Sequence, residues 1–426
     1  MNKKLVALAV AGACALPLTA QAQTANVTLY GRLNLDAEVI INQRQQLPGG
    51  PTGNYYRVDS NSSRVGVRGD ENLGGGLHAF FQLEERFDNT NGGNPVTTGG
   101  DNWVGLQGPW GTTKLGYYLT PYDDIGGITG SVPTLITGIL GTSALWSNTG
   151  YIGNSIDTGA FDDRAGNALE YTTPNMKGFV GNFMVAGRDT GGTDGGDINQ
   201  QRRHASVYSA SLLYTNGPFT AGGAYEQHNK LRTGLVATAA CPTCETGLKD
   251  EGVTAAVAYQ WGPVKLSAIY EQLRYDVNLV GAGGVGTGGQ LKDNHWGVSM
   301  TANWGPGQFY AAWYGAANGR YGGQCLDATN HETNCGSSTA VTGPRVGAVT
   351  GGSNTAANMW EASYTYPLSK RTLLYAGYVN IANKSNAGYN FHVNQIAGVC
   401  TGNGDSSGCG AADKPQGVAL GIVEFW

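Results

Sequence analysis

Val418-Ala-Leu-Gly-Ile-Val-Glu-Phe-Trp426 is an alternating amphipathic segment that runs to the last residue of the chain and stops there on an aromatic side chain. Soluble proteins seldom stop inside a strand in this way, whereas a closed barrel needs its final strand to seal against its first. The segment predicts a membrane barrel, and the other end of the chain predicts how it reaches the membrane.

Lys3 and Lys4, an apolar stretch from Leu5 to Leu16, helix-breaking Pro17 and the small-x-small triplet Ala20-Gln21-Ala22 form a secretory signal peptide over residues 1–22. The mature chain, residues 23–426, is expected to begin near Gln23. Ala11-Gly12-Ala13-Cys14 loosely resembles a lipoprotein cleavage box, but the Ala-Gln-Ala site is better placed behind the hydrophobic run. No later segment offers the run of about 18 uncharged apolar residues that a spanning helix requires.

Charged residues make up 13% of the chain and hydrophobic residues 40%. That is too little charge for an ordinary soluble surface and too little oil for a helical membrane protein, but it suits a barrel with one apolar and one polar face. Loss of Lys3 and Lys4 with the leader takes the net charge from −5 to −7, which disfavours nucleic acid as a partner. Six cysteines remain, in three close pairs: Cys241 with Cys244, Cys325 with Cys335, and Cys400 with Cys409. Neighbour pairing as disulfides is the economical expectation in an oxidising compartment. Cys241-Pro-Thr-Cys244 alone could be a redox or metal half-site, but no second ligand pair stands at suitable spacing, so no metal is expected.

Period-two segments recur along the chain. In Val27–Val39, Val27, Leu29, Leu33, Leu35 and Val39 take one face, and Thr28, Tyr30, Arg32, Asn34, Asp36 and Glu38 the other. Further segments near 55–70, 76–87, 101–108, 112–119, 165–174, 178–188, 204–215, 219–228, 250–261, 264–275, 294–304, 308–317, 358–366, 371–381 and 416–426 bring the count to sixteen. Tight Gly/Pro turns such as Asn216-Gly-Pro218, Gly262-Pro263 and Gly305-Pro-Gly307 alternate with long polar loops, the longest running over 120–164. Short turns on one rim and long loops on the other predict an all-β fold, a sixteen-stranded antiparallel transmembrane barrel of the outer-membrane kind. A β-sandwich would not give this alternation.

Ser63-Arg-Val-Gly-Val-Arg-Gly-Asp-Glu-Asn-Leu-Gly-Gly-Gly-Leu-His-Ala-Phe-Phe-Gln-Leu-Glu84 resembles the second and third strands of Gram-negative trimeric porins, especially the beta-proteobacterial type. Trp103–Gly111 resembles their next hairpin, and Ala168–Pro174 the strand after the constriction loop. The resemblance implies a homotrimer of water-filled barrels in the outer membrane of a Gram-negative bacterium, each narrowed by a third loop folded inward. It implies lipid and lipopolysaccharide around the barrel, and small hydrophilic solutes and ions within it. The terminal Phe425-Trp426 is similar to the signal read by the barrel-assembly machinery. The chain also departs from the pattern: Tyr117 follows Leu115-Gly116 where such porins often carry an Arg, and loop three lacks their Pro-Glu-Phe-Gly motif.

Strand parity puts Arg32, Arg64, Arg68 and Lys114 on the polar face, with Arg164 opening the sixth strand. These form a candidate basic wall facing Asp123 and Asp124 of loop three, a transverse field able to sort ions. The alternative is a merely solvated lumen. Trp103, Trp110, Trp261, Trp304, Trp360 and Trp426 lie near strand ends and suit aromatic girdles better than a sugar-stacking file. The six His are scattered and no nucleophile elbow or phosphate loop is present, so neither catalysis nor a cofactor is expected. The expected function is a general diffusion porin with a weak anion preference; a substrate-specific channel, an adhesion barrel or a barrel hydrolase are the alternatives.

Overall fold

The computed structural model describes residues 26–44, 52–88, 90, 96–130, 139–141, 144–147, 161–189, 204–233, 247–277, 289–322, 324–326, 332–334, 354–385, 387–391 and 413–426. The expected leader lies outside these, as do Cys241, Cys244, Cys335, Cys400 and Cys409. Cys325 is described in backbone only, within a short hairpin of Gln324–Leu326 and Glu332–Asn334.

Sixteen antiparallel strands close on themselves. They are β1 Asn26–Arg44, β2 in two pieces, Thr52–Ser60 and Arg64–Gly74, β3 Leu77–Phe87, β4 Asn102–Gly108, β5 Gly111–Leu119, β6 Arg164–Thr172, β7 Phe179–Asp189 and β8 His204–Asn216. The second half comprises β9 Phe219–Thr233, β10 Gly247–Trp261, β11 Val264–Val277, β12 Gly289–Trp304, β13 Gly307–Ala316, β14 Ala357–Pro367, β15 Thr372–Asn383 and β16 Gln416–Phe425. Sequence and structure agree on the number of wall strands. The differences are a break in β2 at 61–63, where the chain switches ladder on β1, and strands that run several residues further towards the long loops.

Alternation decides which way each side chain faces. Val27 and Leu29 are 60% and 62% exposed on the outside, while Arg32, Asn34, Asp36 and Glu38 of the same strand are buried on the inside. A bilayer covers the first set and the lumen receives the second. Three hairpins turn through x-Gly-Pro-x with only two residues between paired ends, Asn216↔Phe219, Trp261↔Val264 and Trp304↔Gly307. Their glycines, Gly217, Gly262 and Gly305, have φ of 57°, 58° and 61°, the left-handed conformation that a tight hairpin turn of this kind requires. Trp110, Trp261, Trp304 and Trp426 stand exposed at this rim. Towards the other rim Trp313 packs 5.8 Å from Trp360 and 6.4 Å from Trp296.

Closure is made by the stretch that opened the sequence reading. β16 pairs with β1 from Gln416↔Ile41 to Phe425↔Arg32, and Trp426 exchanges two backbone hydrogen bonds of 3.3 Å with Gly31. Gly31 is required there, because a β-carbon would collide with the Trp426 ring. With both edges paired no backbone donor on the wall is left facing lipid.

Candidate functional site

The chain leaves β5 at Thr120 and returns at Arg164, and its described parts lie inside the barrel. A short helix, α1 (Asp123–Thr129), buries Ile125 and Ile128 against the wall, where Gly222 of β9 leaves them room. The last carbonyls of a helix have no partner within it. Here the wall supplies them: Lys265 Nζ donates to Ile128 O at 3.1 Å, and Ser299 Oγ and the Tyr310 hydroxyl donate to Thr129 O at 2.8 and 3.3 Å. At the other end the Tyr122 hydroxyl donates to Glu271 Oε1 at 2.7 Å, and Ser147 N donates to Glu271 Oε2 at 2.9 Å. His295 Nδ1 lies 2.8 Å from the same Oε2, and Tyr389, from the segment between β15 and β16, donates to Asp293 Oδ2 at 2.9 Å. One buried polar network thus ties loop three, β11, β12 and the last long loop together. Further along, Ile139 lies over Gly417 of β16 and Leu140 over Gly377 of β15. The described parts of loop three thus reach the inner wall at β7, β8, β9, β11, β12, β13, β15 and β16.

The inner wall of β1–β3 and the start of β6 carry arginines. Arg32 of β1 stands opposite Arg64 of β2, and Arg64 stands opposite Arg86 of β3. Like charges directly opposite on adjacent strands are destabilising, so three in one row are a cost to the fold that needs an explanation. Arg32 Nε donates to Ser62 O at 3.2 Å, and Arg64 Nη1 bonds Glu84 Oε1 at 3.0 Å. Arg164, at the start of β6, holds Asp101 Oδ1 at 2.6 Å through Nε. The four arginines face two bonded carboxylates, Glu84 and Asp101.

The other sequence candidates are placed differently. Lys114 Nζ makes a 2.7 Å ion pair with Glu170 and lies 4.6 Å above the Tyr118 ring, so its charge is locally offset. Arg68 is exposed nearer the β2–β3 turn, 5.3 Å from the centre of the Tyr30 ring. Asp124 Oδ2 accepts from Asn182 Nδ2 and Ser211 Oγ, each at 2.8 Å, and thereby anchors α1 to β7 and β8 rather than reaching across the pore. Asp123 is partly open to the lumen. Enclosure first and the charge of Asp124 second push its carboxyl up to about 7, with Arg164 acting in the opposite direction.

Arg86, Glu84, Asp101 and Glu170 belong to the site but were not singled out from the sequence. For Arg86 the signal was present in its parity with Gln82 and Glu84. Glu85, charged yet facing outward, obscures the alternation at that strand end.

The profile of the Gram-negative porin family matches residues 7–386. Outer membrane porin protein 32 of Delftia acidovorans is 27% identical over 433 aligned residues, covering 99% of both chains. Major outer membrane protein P.IB of Neisseria meningitidis serogroup B (strain ATCC BAA-335 / MC58) is 27% identical over 274 residues, covering 63% of this chain and 72% of that one. Among solved structures, the anion-selective porin from Comamonas acidovorans superposes with a TM-score of 0.66 at 22% identity, over 94% of this chain and all of that one. Salmonella typhi OmpF, solved with daunomycin, gives 0.55 at 15% identity. A closed sixteen-stranded wall, a loop folded against its inside and a family match over most of the length lead to one conclusion: the chain belongs to the Gram-negative porins, outer-membrane barrels through which small solutes and ions diffuse.

Proposed function

We propose that this porin prefers anions weakly, and that Arg32, Arg64, Arg86 and Arg164 set the preference. The in-register row Arg32–Arg64–Arg86 carries the reading, because three guanidiniums directly opposite one another concentrate positive charge at one height of the wall at a cost to stability. Selectivity is decided at the narrow part of the pore; charges further away than about 8–10 Å are screened at physiological salt, so the acidic total of the chain does not oppose it. Among the described residues four guanidiniums stand with Glu84 and Asp101 on this wall, and Asp123 moderates their charge. Lys114 and Arg68 contribute less, because neither belongs to the arginine row: Lys114 stands apart on β5, paired with Glu170, and Arg68 lies nearer the β2–β3 turn. A Comamonas acidovorans relative of the same fold is described as an anion-selective porin, which supports the reading.

The rest of the expected biology belongs to the same proposal. The protein is a channel and not a catalyst. It is exported with residues 1–22 as a cleaved leader, and it is folded by the barrel-assembly machinery reading Phe425-Trp426. In the membrane it forms a homotrimer among lipid and lipopolysaccharide, through the apolar band that Val27, Leu29, Val104, Leu115, Leu420 and Ile422 expose around the seam. Reversal potentials in a potassium chloride gradient test the selectivity. The expected result is a modest anion preference that falls when Arg64 and Arg86 are together replaced by Ser. A cation-selective wild type, or no change in the double variant, would overturn it.

A further inference from the structure

The seam where β1 closes on β16 carries a second charged constellation, separate from the arginine row. Asp36 of β1 stands directly opposite Asp59 of β2, and Glu38 opposite Arg57. One oxygen from each of Asp36, Glu38 and Asp59 lies within 4.8 Å of the other two, and all three residues are buried. The set holds three carboxylates, and Arg57 is the cation bonded to it, at 2.6 Å from Glu38 Oε2 and 3.1 Å from Asp59 Oδ2.

The hydrogen bonds do not use up the oxygens. Asp36 Oδ2 takes the Tyr375 hydroxyl at 3.1 Å, and Glu38 Oε2 takes Arg57. Asp36 Oδ1 and Glu38 Oε1 are fully enclosed and have no hydrogen-bond partner among the described residues, although the two residues are only 2% and 1% exposed. An enclosed anionic oxygen without a donor is expensive, and the usual solutions are a proton, a counter-charge or a metal. Calcium takes several carboxylate oxygens at about 2.3–2.6 Å in flexible geometry, whereas magnesium, at about 2.0–2.1 Å, demands a near-ideal octahedron and keeps several of its waters, so an enclosed set of carboxylates on a strand wall suits calcium better.

We infer that Asp36, Glu38 and Asp59 form a calcium site on the lumen wall at the barrel seam. Its geometry ties the ion to closure. Tyr375 of β15 lies across β16 at Gly421, where any β-carbon would collide with its ring, and reaches Asp36 of β1; the three residues are in register, Tyr375↔Gly421↔Asp36. An ion held by β1 and β2 at this point is linked through Tyr375 to the last two strands.

The test uses full-length porin folded in vitro from inclusion bodies, free of lipopolysaccharide, which binds divalent cations itself. Calorimetric titration with calcium chloride is expected to show one ion per chain with Kd of about 10⁻⁴–10⁻³ M, the range of extracellular calcium modules, and weaker binding of magnesium chloride. The double variant Asp36→Asn, Glu38→Gln should bind calcium at least about tenfold more weakly. It should also melt in EDTA at or above the wild-type temperature, because two enclosed charges have been removed. Calcium should raise the melting temperature of the wild type and not that of the double variant. Should the double variant fail to fold, Asp59→Asn removes one ligand only and must also weaken binding. Absence of calcium binding by the wild type, or unchanged binding in a folded variant, would overturn the assignment.

Discussion

At the scale of single residues, the pore is governed by where each charge stands rather than by how many charges there are. Lys114 and Arg64 are both basic, both inward and both paired with a carboxylate, yet Lys114 stands alone on its strand while Arg64 shares a row with two other guanidiniums. Asp123 adds a pH dependence. Its carboxyl is raised to about 7 by enclosure and by Asp124, and it faces Arg164 and Asp101 with Glu226 beyond. A raised acid is neutral below that pH and charged above it, so a negative charge enters the pore on the alkaline side. Anion preference is therefore expected to fall as pH rises from about 6 to 8. Reversal potentials over that range should show it, and Asp123→Asn should flatten most of the slope.

At the scale of elements, α1 is too short to be stable alone, since helices under about 12 residues are marginal in water. Its seven residues persist because the wall completes them: Lys265, Ser299 and Tyr310 take the terminal carbonyls, and Tyr122 and Ser147 are fixed on Glu271. Removing the Tyr122 hydroxyl takes one donor from a buried carboxylate, a loss of about 1–3 kcal/mol. Tyr122→Phe is expected to loosen loop three, giving a higher and noisier single-channel conductance with the barrel intact. A conductance trace like that of the wild type would mean that the Thr129 contacts hold the loop unaided.

At the scale of the whole molecule, closure and the mouth are separable. Deleting Phe425 and Trp426 removes the Arg32↔Phe425 pairing and both Gly31–Trp426 hydrogen bonds, leaving the end of β1 unpaired in lipid. Assembled barrel, read on a native gel, is expected to be lost, and unaltered yield would count against the assembly role. By sequence the cysteine pairs fall in the long connections between wall strands. Peptide mapping is expected to find Cys241–Cys244, Cys325–Cys335 and Cys400–Cys409, and reduction to leave the barrel folded. Bridges between different loops would refute that pairing.

The sequence by itself determined the strand count, the closed all-β wall and the facing of most side chains. All of these follow from period-two alternation and from turn chemistry, which act over a few residues: Val27 and Leu29 go out and Arg32 and Asn34 go in because a strand has only two faces. Its parity also made Arg32, Arg64 and Arg164, with Asp123 of loop three, candidates for the constriction, the residues on which the proposed selectivity rests. What it could not supply was register between strands and the path of loop three. That Arg86 completes a row with Arg32 and Arg64, that Asp124 is an anchor on Asn182 and Ser211, and that Asp36 meets Asp59 are facts of pairing between segments tens of residues apart or of a loop crossing to a distant wall. Parity fixes the face of a side chain, but only the tertiary structure fixes its height on the wall, and the electrostatics of the pore depend on height.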